Sequence, residues 1–393
     1  MELDGPMTRP TILAVGMLPP PFGGQALMFD RAIRALRVDY DVTVIDTQLH
    51  GNIGESGTFA LRKVAATVKI LLLRMLPLFA RRKFDILYYC ISGPSTFGTI
   101  KDLLFLSLLR ARAHQAVYHF HGTGGVEFLL RKSHLLRIWA RVVLFGPDLG
   151  LRCAEVTPND AALCEAKREI IIYNGIDDPD AMVPGPVDLP RSETPSFVFV
   201  GALVEEKGVF DLVEIARLLR DRGHRFILHI VGEGTPADTA ELDELIRRHN
   251  LGSAIKRTGV LVGMDKFRLL KSATIFLFPT YFRAETQPLA VIEAISLRIP
   301  VVASDWRGLN TIIDDGINGY LVAPRNPAAF TRAIERMLSG NTLEPMREAA
   351  RRIFLERFRI ERFADDLNQA FRSLESNRPS AATVSKGLSK SIQ

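Results

Sequence analysis

The segment Ser196-Phe197-Val198-Phe199-Val200-Gly201-Ala202-Leu203-Val204-Glu205-Glu206-Lys207-Gly208-Val209 decides the fold. A short apolar run, Phe197–Val200, ends at a glycine, crosses a charged turn and enters a helical pattern at Val209. That is one β-α unit of a parallel sheet. The unit recurs downstream, with strand candidates at Phe226–Val231, Ile255–Thr258, Thr274–Phe278, Val301–Ser304 and Gly319–Val322. Upstream lies a separate series: Thr11–Gly16, Val42–Ile45, Ile86–Tyr89, Ala116–Phe120, Ala154–Thr157 and Ile170–Tyr173. Between the two series, Asp177–Pro195 holds five prolines and little periodicity, which reads as a linker. The expected architecture is α/β: two doubly wound domains, 1–176 and 196–373, joined by 177–195 and facing a central cleft. The Ser/Lys/Asn-rich residues 374–393 read as a disordered tail. In such folds ligands lie at the carboxyl ends of the strands.

Composition agrees with a globular protein. The 393 residues are 47% hydrophobic and 24% charged, which excludes a disordered, collagenous or disulfide-built chain. Three cysteines (Cys90, Cys153, Cys164), an odd number without metal-like spacing, read as buried thiols in a reducing compartment. The acidic start Met1-Glu2-Leu3-Asp4 has no apolar core of a signal peptide, and every apolar run is interrupted before membrane-spanning length. A cytoplasmic protein is therefore expected. Its net charge of +6 lies wholly within residues 1–175, and the remainder is neutral.

Several turns could carry chemistry. Pro19-Pro20-Pro21-Phe22-Gly23-Gly24 leads from the first strand into a helix, and paired glycines let backbone N–H groups approach an anion there. His121, at the exit of the fourth strand into Gly122-Thr123-Gly124-Gly125, can point into the cleft; alternation puts His119 on the same side, deeper in the strand. Lys207 stands at a helix mouth, placed to hold a diphosphate. Val231-Gly232-Glu233-Gly234 is a second glycine-bracketed turn at that sheet edge. Glu285 and Glu293 lie eight residues apart across Pro288-Leu289. Their carboxylates suit sugar or ribose hydroxyls, and Glu293 sits in an apolar run that argues against a solvated face.

In combination these pieces resemble a retaining glycosyltransferase of family 4 (glycosyl transferases group 1) over roughly residues 10–370. The resemblance is carried by the E-x7-E motif Glu285…Glu293, by Ile299–Ser304 and Asp314–Gly319, and by Tyr173-Asn174-Gly175-Ile176-Asp177 with the turns above. It implies the GT-B fold of two Rossmann-like domains. By the same resemblance Glu293 binds the ribose, Glu285 lies against the transferred sugar or its phosphate, and Lys207 neutralises the diphosphate. His121 contacts the sugar, and Gly23, Gly24, Gly201, Gly232 and Leu289 complete the donor site. No metal and no cofactor are implied, since the nucleotide-sugar is a co-substrate. Where the family usually has a basic residue after the glycine of its Gly-x-Leu turn, this chain has Ala202, with Arg283 a candidate substitute.

The implied activity is transfer of a hexose from a UDP- or GDP-sugar to a glycan or lipid-linked glycan in cell-surface polysaccharide or glycolipid biosynthesis. A catalytically silent scaffold, a glycogen-synthase-like polymerase and a nucleotide-sugar epimerase are the rivals. On the acceptor side, residues 56–84 carry seven cations and no acid. At 100° per residue, five of them fall within about 140°, opposite Leu61, Val64, Val68, Leu71, Leu72, Met75, Leu78 and Phe79. A core helix with a solvated basic face fits this pattern. So does an anionic-membrane contact through residues 59–83, peripheral at the inner face. Nucleic acid is not indicated, for want of aromatic-basic interleaving.

Overall fold

A computed structural model describes residues 9–20, 22–48, 61–80, 83–156, 158–183 and 194–375. The expected tail, most of 374–393, and residues 184–193 of the linker lie outside the described residues. The first sheet is built from β1 (Thr11–Gly16), β2 (Asp41–Asp46), β3 (Phe84–Cys90), β4 (Ala113–Phe120), β5 (Leu149–Arg152) and β6 (Glu169–Ile171). The second is built from β7 (Ser196–Val200), β8 (Ile227–Val231), β9 (Ile255–Gly259), β10 (Ile275–Phe278), β11 (Val301–Ser304) and β12 (Gly319–Val322). Every pairing is parallel, in the orders β2-β1-β3-β4-β5-β6 and β12-β11-β10-β7-β8-β9.

In the first half the helices are α1 (Gly24–Leu36), α2 (Leu61–Ile70), α3 (Thr96–Leu109), α4 (Gly125–Leu130), α5 (His134–Val143), α6 (Asp160–Leu163) and α7 (Pro179–Met182). In the second they are α8 (Val209–Asp221), α9 (Pro236–Arg248), α10 (Gly263–Lys271), α11 (Leu289–Ser296), α12 (Pro327–Ser339), α13 (Leu343–Arg357) and α14 (Ile360–Glu375). Strands such as Phe276-Leu277-Phe278 and Val301-Val302-Ala303 are buried throughout, as parallel strands covered on both faces must be. In each sheet the order reverses beside the first strand: between β1 and β3, and between β7 and β10. Crevices for ligands open at such reversals.

Three details differ from the sequence expectation. The fifth strand is Leu149–Arg152, not Ala154–Thr157; Ala154–Val156 is irregular and Thr157 lies outside the described residues. Gly150, which weakens a strand signal, is needed there because a Cβ would meet the Ala161 methyl at 2.6 Å. Residues 360–375, read with the second domain, return to the first. Tyr40 and Tyr88 pack edge-on against Phe371, and Arg372 pairs with Asp39 at 2.6 Å. The third difference concerns the basic helix, which Pro77 interrupts as a proline is expected to but whose apolar face is only partly buried. After α2 the chain loosens into a π turn at Leu71–Met75 and tightens into a 3-10 turn at Leu76–Ala80 around Pro77. Met75 and Leu78 are buried, but Val64, Val68 and Leu72 of the expected core face are exposed.

Candidate functional site

The reversal of the second sheet brings two expected residues together. Lys207 closes the 3-10 turn after β7, and Glu285 lies in the loop after the neighbouring strand β10. Gly208 adopts φ 76°, and a side chain there would strike the Pro279 carbonyl, so glycine lets the two loops touch. Lys207 Nζ sits 2.6 Å from Glu285 Oε2, and Thr280 donates to the same oxygen at 3.1 Å. The rings of Phe282 and Phe278 flank the ammonium, 4.6 and 5.7 Å from their centroids. Glu285 is 7% exposed, so removing Lys207 would leave a buried carboxylate without its ion-pair partner.

The segment Glu285–Pro288 also ties the two halves of the molecule. Thr286 donates its hydroxyl to the His121 carbonyl, and the Ala284 carbonyl lies against Gly122, where a Cβ would approach it to 3.3 Å. The Asn174 amide N–H donates to Gln287 Oε1 at 2.7 Å, and the Asn174 side chain donates to the Gln287 carbonyl at 3.0 Å. Gln287 Nε2 reaches Thr311 at 3.0 Å.

Glu293 lies one helix further on, in α11, and is buried among apolar neighbours as its sequence context suggested. Lys266 of α10 holds its Oε1 at 2.6 Å. Arg31 of α1 also senses it across the cleft. Burial lowers the Arg31 pKa, while Asp177, 3.7 Å away, and Glu293 oppose that loss. Lys266 and Arg31 belong to no motif, and only packing shows them.

The glycines divide by role. Gly232, at φ 143°, has no room for a side chain beside the Gly201 carbonyl, so these two turns need glycine in order to cross. Gly24 starts α1 and lies opposite Leu289, 3.8 Å from where its Cβ would be, whereas Gly23 faces open space. Arg283 is exposed.

His121 follows β4, and its ring lies 3.9 Å, centroid to centroid, from that of His119, on the common side that alternation required. His119 is fully buried, and its Nδ1 is 2.7 Å from the Tyr88 hydroxyl. Cys153, just past β5, places Sγ 3.7 Å from His121 Nδ1. His121 Nε2 is buried without a partner. Burial pushes the His121 pKa down to about 3 and that of His119 well below its usual value.

Residues 194–340 match the family model for glycosyl transferases group 1, bearing out the resemblance over that span. The alpha-D-kanosaminyltransferase of Streptomyces kanamyceticus is 28% identical over 183 residues, 46% of each chain. The amylovoran biosynthesis glycosyltransferase AmsK of Erwinia amylovora is 29% identical over 145 residues, 36% of this chain and 35% of that one. The chain thus matches less than half the length of these curated relatives. Sucrose-phosphate synthase from Thermosynechococcus elongatus superposes with a TM-score of 0.72 at 18% identity, covering 94% of this chain and all of that one. Anabaena Alr3699/HepE, solved in complex with UDP, gives 0.67 at 16% identity, covering 92% and 100%. The fold is GT-B.

Two outcomes follow from the site. Lys207→Ala leaves a buried carboxylate unpaired and costs about 3–5 kcal/mol of stability, and Lys207→Ala/Glu285→Gln recovers most of it. Urea denaturation of the four proteins measures this, and strictly additive losses contradict the coupling. Because unfolded His121 takes up a proton below pH 6.5 that the folded side chain refuses down to about 3, its contribution to stability is lost as pH falls through that window. His121→Gln reduces the slope of stability against pH, measured between pH 6 and 5, by up to about 1.4 kcal/mol per unit. An unchanged slope contradicts a neutral, desolvated imidazole.

Proposed function

We propose that this protein is a retaining glycosyltransferase that moves a hexose from a UDP- or GDP-sugar to a glycan or lipid-linked glycan in cell-surface polysaccharide or glycolipid synthesis. The observation that carries the reading is the Lys207–Glu285 pair at the strand-order reversal, within the GT-B fold and the matched family span.

The roles follow from charge. A diphosphate entering the crevice competes with Glu285 for Lys207 and gains its ammonium beside the start of α8. Glu285, relieved of that partner, accepts from hydroxyls of the transferred sugar. Glu293 accepts from the ribose, with Lys266 fixing its orientation. Gly201 and Gly232 bring backbone close to the donor, while Gly24 and Leu289 close the cleft over it. His121, neutral and with Nε2 unpaired, is free to exchange a hydrogen bond with the sugar. Lysine and helix end supply the positive charge for the leaving diphosphate, without a metal. In retention by front-face attack, the departing phosphate oxygen takes the acceptor's proton, so the protein's task is alignment and exclusion of water.

The acceptor side carries a surface suited to an anionic membrane. Leu72, Leu73 and Leu76 are exposed beside α2, and Leu135, Ile138 and Val142 are exposed on α5; α3, with exposed Leu104, packs against both segments. Lys69, Arg74, Arg137 and Arg141 are interspersed, and neither α2 nor α5 contains an acid. Glu165 and Asp46 pair with Arg141 and Arg74, leaving Lys69 and Arg137 as the excess. Such a face buries leucines among acyl chains and gains about 1 kcal/mol per cation at anionic headgroups. Arg62, Lys63, Arg81 and Arg82 of the expected surface have side chains outside the described residues. No helix among the described residues is long and apolar enough to cross a membrane.

A thermal-shift series with UDP-, GDP- and dTDP-sugars tests the donor reading. One nucleotide class should raise the melting temperature, and Lys207→Ala should abolish the shift and lower turnover at least about 100-fold. No shift with any donor, or near-normal turnover in Lys207→Ala, overturns it. Co-sedimentation with vesicles tests the surface. Binding should require anionic lipid and fall at least tenfold in Leu135→Glu/Val142→Glu, whereas lipid-independent binding or a dimer formed through this face contradicts it.

A further inference from the structure

The histidine pair and thiol at the ends of β4 and β5 form a constellation that donor binding does not explain. His119 Nε2 lies 4.0 Å from Cys153 Sγ, and His121 Nδ1 lies 3.7 Å from the same sulfur. All three ligand atoms fall within 4.8 Å of one another, and among the described residues this is the one group of three that does so. We propose that His119, His121 and Cys153 form a binding site for a zinc ion, in which His121 would use the nitrogen that the proposed sugar contact leaves free.

Zinc bonds of about 2.0–2.1 Å to nitrogen and 2.3 Å to sulfur set tetrahedral edges of about 3.3–3.6 Å. The two N···S separations exceed those edges by only a few tenths of an ångström, a difference within rotamer adjustment. The surroundings also suit the ion. The hydroxyl of Tyr88, 2.7 Å from His119 Nδ1, can accept its proton and so turn the Nε2 lone pair toward the sulfur. Both imidazoles are held neutral by burial, the protonation state that ligation needs. Cys153 is a free thiol that burial pushes up to about 12; on binding, its S–H bond breaks, the sulfur pair goes to zinc and one proton goes to solvent. A small cleft whose lining includes Phe120, Gly122, Arg152, Cys153, Asp160 and Thr286 lies beside the thiol. Water completes the fourth position.

Occupancy would clamp two strand ends together and assign the His121 proton to Nε2, the nitrogen that is buried without a partner. Mixed imidazole and thiolate ligands favour zinc over magnesium, calcium or manganese.

The test uses the full chain, first stripped with a chelator. Cobalt(II) should bind with 1:1 stoichiometry, release one proton and show the thiolate-to-metal charge-transfer band, and zinc should displace it with no further proton release. Cys153→Ser should lose the band and bind zinc more than about 100-fold more weakly, and Tyr88→Phe should weaken binding about tenfold. Zinc should raise the melting temperature of the parent protein and not that of Cys153→Ser. If Cys153→Ser does not fold, His121→Gln serves in its place, since its imidazole loss removes a ligand and keeps the thiol. A missing thiolate band, or equal zinc affinity in the parent and a folded ligand variant, overturns the site. Neither readout involves sugar transfer, so failure here leaves the transferase reading intact, and the reverse holds as well.

Discussion

A lysine and a glutamate 2.6 Å apart, largely screened from water, organise the centre of this molecule. Each is delivered by a strand exit flanking the point where the order of the second sheet reverses. Neither charge is at ease alone at that depth, since a buried ion is stable only with its partner and satisfied hydrogen bonds. Thr280 completes the carboxylate's shell, and two phenyl rings bound the ammonium. The pair is therefore both a structural element and a store of positive charge that a competing anion can claim. Under the proposed function a structural role and a binding role do not conflict, because the same desolvation that makes the pair necessary would strengthen a diphosphate's contact with Lys207.

The loop that carries Glu285 does more than present a carboxylate. Through Thr286, Gln287 and Ala284 it touches His121, Asn174 and Gly122, so the first half of the chain senses the second at the position where a donor would sit. The terminal helix adds a further connection. Because α14 returns to pack on α1, the prolines of the linker are not the sole junction between the halves. Any opening of the cleft must work against both connections, which favours small rotations over wide separation.

Much of this was legible in the sequence. The β-α alternation identified eleven of the twelve strands in their approximate positions, because buried parallel strands are continuous apolar runs. Leu149–Arg152 escaped because Gly150 interrupts its run, for a packing reason that only the neighbouring Ala161 reveals. The Glu285…Glu293 spacing singled out two carboxylates that are both buried and lysine-paired, but their lysines differ in visibility. Lys207 announces itself in a glycine turn, whereas Lys266 is one cation on an otherwise ordinary amphipathic helix and meets Glu293 only through tertiary packing. Cys153 was read as an inert thiol, since its distance in sequence from His119 and His121 conceals that β4 and β5 are neighbours. Val64, Val68 and Leu72 fall opposite the cations on a regular helical wheel, the face a core helix buries, yet all three are exposed. From Leu71 onward the π turn and the 3-10 turn around Pro77 shift the phase that a regular helix assumes.

On the proposed function Lys207 exchanges its carboxylate partner for a nucleotide diphosphate, which a structure of the protein with UDP bound would test. Lys207 Nζ should then lie within hydrogen-bonding distance of the β-phosphate, with Glu285 released toward the sugar position and Glu293 on the ribose hydroxyls. UDP bound elsewhere, or present in the crevice with the Lys207–Glu285 contact unchanged, would contradict it.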